Sequence, residues 1–145
     1  MTATAGVAPL PPTLPGSYLA AAARGGLHGK CPRCGEAPLF RKWLKPVDRC
    51  EACGQDWTLQ RADDFPPYIS ILVTGHLMAP LAILLTLDFA LPTGIVLAII
   101  LPLAAATMLG VLQPAKGAVI AAQWWLGLVG FSKERLPEPA EAGPQ

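Results

Sequence analysis

All four cysteines of this 145-residue chain fall in two C-x2-C motifs, CPRC at residues 31–34 and CEAC at residues 50–53. Each motif aims two thiolates at one point, and two such motifs together form a four-sulfur cage around a metal ion. Gly35 and Gly54 directly follow the motifs, where a tight turn requires positive φ. The spacing therefore predicts one metal site with four ligands, which are Cys31, Cys34, Cys50 and Cys53.

Zinc is the metal that we expect at this site, because four cysteines form the closed tetrahedral cage of structural zinc centres. The alternative is iron in a rubredoxin-like centre, which uses the same four thiolates. A catalytic zinc keeps one position open to water, and no further ligand at suitable spacing suggests such a position. The chain also has no glycine-rich phosphate loop and no cysteine outside the cage. We therefore expect a protein that is not an enzyme.

The elements that hold the cysteines form a small module over residues 28–62. Short strands are expected over residues 39–45 and 56–60, with Trp43 and Trp57 packing in a small core. A module of this size cannot bury a self-sufficient core, so the metal is expected to hold it together. The predicted fold of the module is a zinc ribbon.

The chain as a whole has the composition of a membrane protein. It is 52% hydrophobic and only 14% charged, whereas soluble domains are about 25% charged. Two uncharged segments, residues 68–87 and 94–112, are each long enough to cross a bilayer. A short link joins them, which predicts a two-helix transmembrane hairpin over residues 66–112.

The basic residues predict the orientation of the hairpin. Of the 11 lysines and arginines, eight precede the hairpin, three follow it, and none lies between Arg61 and Lys116. Because basic residues favour the cytoplasmic side, both termini are expected in the cytoplasm. The cysteines would then lie in a reducing compartment, where metal binding is favoured over disulfides.

Three further segments complete the predicted organisation. Residues 1–27 are expected to be a disordered leader, because they lack the apolar core of a signal peptide, and residues 132–145 a disordered tail. Residues 115–131 are expected to form an amphipathic helix in the membrane interface, because tryptophans such as Trp124 and Trp125 are enriched there. A third membrane span is the alternative for this segment, although the segment is short for one.

Four other residues are candidates for function. His76 would lie near the middle of the bilayer, where ionisable groups are often functional. It could bind a metal, relay a proton or contact a partner helix, or it could simply bond to a backbone carbonyl or a nearby threonine. Asp63 and Asp64 precede the first span, where they could cap the helix or contact a basic partner. Lys116 could return to the same surface and pair with them.

Several segments together resemble a family of small bacterial inner-membrane proteins known only as domain of unknown function 983. They are CPRCGEAPLF, DRCEACG, RADDFPPYI and QPAKGAVIAAQWW, and the likeness covers residues 28–131. The resemblance implies a cysteine ribbon, a helical hairpin and a bacterial inner membrane. Some members are encoded beside haem–copper oxidase and oxidase-assembly genes, so it also implies a respiratory oxidase or its assembly machinery as a partner.

These observations predict a membrane protein with a zinc-ribbon-like N-terminal module, an α-helical transmembrane hairpin and an interfacial amphipathic helix. Its expected function is that of a binding or assembly module for a larger membrane complex. The alternative is a metal-handling or rubredoxin-like redox protein. Nucleic-acid binding is less favoured, because the basic residues of a membrane-proximal ribbon serve anionic lipid headgroups. The oligomeric state stays open.

Overall fold

The structure is a computed structural model that describes residues 14–62 and 64–132. Asp63, residues 1–13 of the predicted leader and nearly all of the predicted tail lie outside this described part. Three α-helices, one π-helical turn and one pair of short strands follow one another in this described part. They are α1 (Tyr18–Ala22), a π-helical turn (Ala23–Leu27), β1 (Phe40–Lys42), β2 (Lys45–Pro46), α2 (Phe65–Leu87) and α3 (Thr93–Leu126).

Helices α2 and α3 pack against each other and dominate the fold. Two prolines stand in the first turn of α2, where a backbone N–H would have no partner in the helix anyway. Helix α3 ends at Gly127, whose φ of 68° gives the left-handed cap that glycine adopts without strain. The hydroxyl of Ser70 in α2 donates to the carbonyl of Met108 in α3 at 2.6 Å. This bond fixes the register between the two helices.

Both helices are long and apolar enough to cross a membrane. Helix α2 has 23 residues and α3 has 34, which at 1.5 Å per residue gives lengths of about 35 and 51 Å. The hydrocarbon layer of a bilayer is about 30 Å thick. Helix α3 is therefore about 20 Å longer than a single crossing requires.

The additional length of α3 differs from the predicted organisation. A separate helix was expected over residues 115–131, but α3 continues without a break through Pro114 to Leu126. Proline removes only one helical hydrogen bond, and the alanine-rich sequence after it favours the helix. The continued turns are also buried, because Ile120 and Trp124 pack against the cysteine module. This part of α3 is a core element of the module.

The predicted disordered leader is also structured from residue 14 onwards, which corrects that expectation. The hydroxyl of Ser17 caps α1 by accepting from the N–H of Ala20 at 3.3 Å. Residues 18–27, here called the N-terminal helical segment, pack on α3. At the crossing, a Cβ atom on Gly117 would collide with the carbonyl of Gly25. Only glycine allows this backbone contact, so apolar periodicity gave no sign of it.

The core of the protein joins the cysteine module to the end of α3. Leu39 and Trp57 of the module are fully buried together with Ile120 and Trp124 of the helix. The ring of Trp57 lies 6.4 Å from that of Trp124 and 5.7 Å from that of Phe131, measured between centroids. The module was expected to depend on metal alone for its cohesion. The helix supplies the apolar partner that the module itself lacks.

The strands of the module are shorter than predicted. Instead of one strand over residues 39–45, the chain turns back at Trp43 and Leu44, and β1 pairs with β2 in antiparallel fashion. Leu44 adopts a φ of 62° at this turn. Residues 56–60 contribute a single bridge, between Arg49 and Asp56. Trp57 is buried as expected, but Trp43 is 56% exposed at the tip of the hairpin, which corrects its predicted core position.

Candidate metal centre

Each C-x2-C motif folds into a tight turn closed by backbone hydrogen bonds. The N–H of Gly35 donates to the carbonyl of Cys31 at 2.8 Å, and the N–H of Gly54 donates to that of Cys50 at 2.9 Å. Both glycines have positive φ, at 73° and 71°, as their position after the motif predicts. The two turns are therefore built alike, and each directs two sulfur atoms to the same side.

The four Sγ atoms meet in one cluster, all within 4.8 Å of one another. The Sγ atoms of Cys31 and Cys53 are 3.8 Å apart, and those of Cys34 and Cys50 are 3.7 Å apart. Zinc–sulfur bonds of about 2.3 Å in a tetrahedron require sulfur–sulfur distances of about 3.8 Å. The cluster has the size and donor set of a four-thiolate metal site. The predicted ligand cysteines are thus brought together, and they can hold a metal ion.

Burial opposes the ionisation of Cys31 and Cys53 where no cation is bound. Burial raises the pKa of the Cys31 thiol and also that of Cys53. Burial opposes ionisation of Cys34 as well, but the backbone N–H groups of Glu36 and Ala37 outweigh it and lower the pKa of that thiol. A divalent ion would supply the positive charge that holds buried sulfurs as thiolates.

Two arginine side chains contact the backbone of the cysteine turns. Arg33 donates from Nη1 to the carbonyl of Cys53 at 3.4 Å, and its guanidinium counteracts the effect of burial on the Cys53 thiol. Arg24 donates to the carbonyl of Arg33 at 3.3 Å. These cations lie where they offset the negative charge of a metal bound by four thiolates. Arg24 also ties the N-terminal helical segment to the first cysteine turn.

Access to the cluster is uneven. Cys31, Cys34 and Cys50 are buried, whereas Cys53 is only partly buried. Within the described residues, the four cysteines form the only cluster of three or more potential ligands. The site is therefore closed by its own four sulfur atoms, and Cys53 is its most accessible ligand.

His76 lies apart from the metal centre, on the exposed face of α2. Its Nδ1 is 2.8 Å from the carbonyl of Leu72. Because a carbonyl can only accept, Nδ1 is the donor of this bond, and in a neutral imidazole Nε2 is then the acceptor. Of the partners predicted for the imidazole, the structure shows the backbone carbonyl. Nε2 is the ring nitrogen that stays available to a partner.

Asp64 and Lys116 are not brought together by the described residues, and Asp63 lies outside them. Asp64 occupies the N-cap position of α2, but its side chain makes no capping hydrogen bond. Lys116 lies partly buried in α3. No ion pair joins Asp64 to Lys116 in the part of the chain that the structure describes.

The sequence analysis missed a second connection between the module and α3. The side-chain amide of Gln123 donates to the carbonyl of Arg61 at 2.7 Å and accepts from its N–H at 3.0 Å. Both backbone groups of Arg61 are thereby satisfied just before α2 begins. Gln123 lies one helical turn after Ile120 and directly before Trp124 on α3, and both of these residues are buried. Its place beside them was the only signal in the sequence that Gln123 faces the module.

The comparison with protein families gives one result. The model of a family described as Protein of unknown function (DUF983) matches residues 40–124, which is more than half of the chain. The chain belongs to this family. The match includes Cys50, Cys53 and nearly all of both long helices, and it begins after Cys31 and Cys34. In this DUF983 member, the first cysteine motif thus lies outside the matched region although it completes the cluster. Neither the comparison with curated proteins nor that with solved structures gives a match.

Proposed function

We propose that this DUF983 member is a membrane-anchored zinc-ribbon protein without enzymatic activity that binds a protein partner. The observation that carries the proposal is the cluster of four sulfur atoms at tetrahedral spacing, built on the end of a helix that is long enough to cross a bilayer. The metal is then structural. It holds the shape of the ribbon, and the ribbon is the surface that meets the partner.

Membrane insertion is supported by the surfaces of α2 and α3. A core helix of a soluble protein is mostly buried, whereas few side chains are buried in the apolar stretches of these two helices. The exposed side chains include Leu72, Leu77 and Leu101. Lipid is the environment that such surfaces require. We propose the bacterial inner membrane, with both termini in the cytoplasm as the basic residues favour.

The tip of the β1–β2 hairpin is the part of the ribbon best suited to a partner. Trp43 is 56% exposed there, and the neighbouring cations Arg41, Lys42 and Lys45 are exposed as well. Tryptophan and arginine are enriched among the residues that dominate binding energy at interfaces. The tip therefore fits an acidic protein surface with an apolar pocket.

The membrane face of α2 offers a second contact for the same partner. No atom lies within 4 Å of the position that a Cβ on Gly75 would occupy, so another helix can approach closely there. His76 presents Nε2 nearby as a hydrogen-bond acceptor. We propose a larger inner-membrane complex as the partner, and a respiratory oxidase or its assembly machinery is the candidate to test first.

Photo-crosslinking in native membranes tests this function. A photoreactive amino acid in place of Trp43 should capture a specific membrane protein, to be identified by mass spectrometry. The same group in place of Ala52, which is exposed on the second cysteine turn, serves as the matched control. If both positions recover only the chain itself, the binding function is contradicted.

The partial exposure of Cys53 favours a second candidate function. In it, the four-cysteine site either exchanges its metal or carries an electron. A rubredoxin-like centre would give the purified protein strong visible absorption and one iron per chain. Metal handling would instead show as rapid transfer of the ion to a chelator through Cys53. A colourless protein that keeps its zinc in excess chelator excludes both.

A further inference from the structure

An apolar groove with a cation in its lining runs beside the start of α2. It has a volume of about 370 Å³. Its walls include Phe65 and Ile69 of α2, Val119 of α3, and Leu128 beyond the end of α3. Arg61 and Tyr18 also line it, and we call it the Arg61 groove.

The groove lies where the apolar part of the hairpin ends. Phe65 is the first residue of α2, and its side chain is 61% exposed. Ile69, one turn further into the apolar helix, also lines a neighbouring apolar groove together with Val111 and Leu27. The Arg61 groove therefore extends from the level of the first helical turn into the level that the proposed bilayer would occupy.

The polar groups of the groove are few and have different roles. The amide of Gln123 is used by the two backbone groups of Arg61. These two hydrogen bonds fix the backbone position from which the Arg61 side chain extends. The guanidinium of Arg61 and the hydroxyl of Tyr18 are then the groups that can serve a ligand. No described acidic residue forms an ion pair with Arg61, and none lines the groove.

We propose that the Arg61 groove binds one anionic phospholipid. One acyl chain would lie against Phe65, Ile69 and Leu128, and the guanidinium of Arg61 would bond the phosphate. This inference depends on the membrane anchoring proposed above. A phospholipid combines the two features that the lining demands, a long apolar body and a single negative group at the water side. Guanidinium is the side chain best matched to phosphate oxygens.

Native mass spectrometry of the full-length protein in detergent tests the proposal. The probes are phosphatidylglycerol and phosphatidylcholine with the same acyl chains, added at equal concentration. We expect preferential retention of one phosphatidylglycerol per chain. Arg61→Gln should weaken that retention roughly fivefold, as for the loss of one cation facing anionic lipid. Arg49→Gln removes an exposed arginine of the ribbon that does not line the groove and should leave retention unchanged.

A second variant tests the apolar part of the groove. Ala122 lines it, and Ala122→Leu should fill part of the space and weaken retention of both lipids. Zinc content, measured for every variant, shows that the ribbon remains folded. Glycerol phosphate and inorganic phosphate should not bind, because they lack the acyl chain. If these soluble anions bound as tightly as phosphatidylglycerol, the assignment to lipid would be overturned.

Two other outcomes also decide the matter. Equal retention of phosphatidylglycerol by wild type and Arg61→Gln would overturn the proposal, and so would a protein crosslinked from Phe65 in native membranes. Alkaline extraction of membranes separates this failure from that of the proposed function. A chain that stays in the membrane pellet but shows no lipid preference refutes only the groove, whereas a chain that is extracted refutes the anchoring as well.

Discussion

Replacement of Trp124 by alanine should detach the cysteine module from the end of α3. Trp124 is 3% exposed, and its ring contacts Trp57 edge-on at a centroid distance of 6.4 Å. Trp57 in turn is 1% exposed and lies in the same cluster as the cysteines. Removing the indole of Trp124 therefore opens a cavity beside the only large aromatic residue in the core of the module.

The magnitude follows from the size of the buried ring. Truncation of a buried tryptophan to alanine costs about 3–5 kcal/mol, including the cavity that it leaves. At about 1.4 kcal/mol for each factor of ten, the population of the opened module should rise roughly 10²- to 4 × 10³-fold. The hairpin of α2 and α3 should remain, since Ser70 and Met108 lie far along the helices from this contact.

The rate of metal release to a chromophoric chelator measures this opening in the full-length protein. Trp124→Ala should accelerate release by the factor given above. Trp125→Ala is the matched control, because Trp125 is only partly buried and its described ring contact is with Trp124 rather than with Trp57. Trp124→Phe should have a small effect, since it keeps an aromatic ring and removes an indole N–H that has no described partner. Equal rates of metal release for Trp124→Ala and Trp125→Ala would show that the contact between Trp124 and Trp57 does not hold the module closed.

Three further substitutions test other contacts. Gly117→Ala should displace the N-terminal helical segment at a cost of about 1–3 kcal/mol, and proteolysis at Arg24 should then be faster. Gly75→Ala is the control, because the space beside Gly75 is open, and it should leave this proteolysis unchanged. Ser70→Ala should lower hairpin stability by about 1 kcal/mol in detergent unfolding; no change would contradict the bond to Met108. The pKa of Asp56 is lowered by hydrogen bonds from the Thr58 hydroxyl and N–H. Its stabilisation is therefore complete above the usual carboxyl pKa and is lost as pH falls through the lowered value, so Asp56→Asn should flatten the acid limb of stability against pH.

The four-cysteine cluster could be predicted from the sequence because its geometry is local. A C-x2-C turn followed by glycine closes on itself, and the positive φ of Gly35 and Gly54 needs no distant contact. The apolar helical segments over residues 68–87 and 94–112 could be predicted as well, because length and the absence of charge define them; the continuation of α3 to Leu126 could not. Each of these features is a property of consecutive residues.

The parts that could not be predicted depend on distant contacts. The N-terminal helical segment packs through the backbone of Gly25 and Gly117, so its contact has no side-chain pattern. Trp124 suggested a membrane interface, yet it is buried by a module that lies more than sixty residues earlier in the chain. Trp43 and Trp57 looked alike in sequence, and only the position of the turn at Leu44 decides which one is buried.

We propose for this protein a closed four-thiolate zinc centre in a membrane-anchored ribbon. Zinc K-edge X-ray absorption on the full-length protein in native lipid, with elemental analysis of the same sample, tests this centre most directly. We expect one zinc per chain with four sulfur neighbours at about 2.3 Å. A nitrogen or oxygen donor in the first coordination sphere, an iron centre, or cysteines joined as disulfides without metal would contradict it.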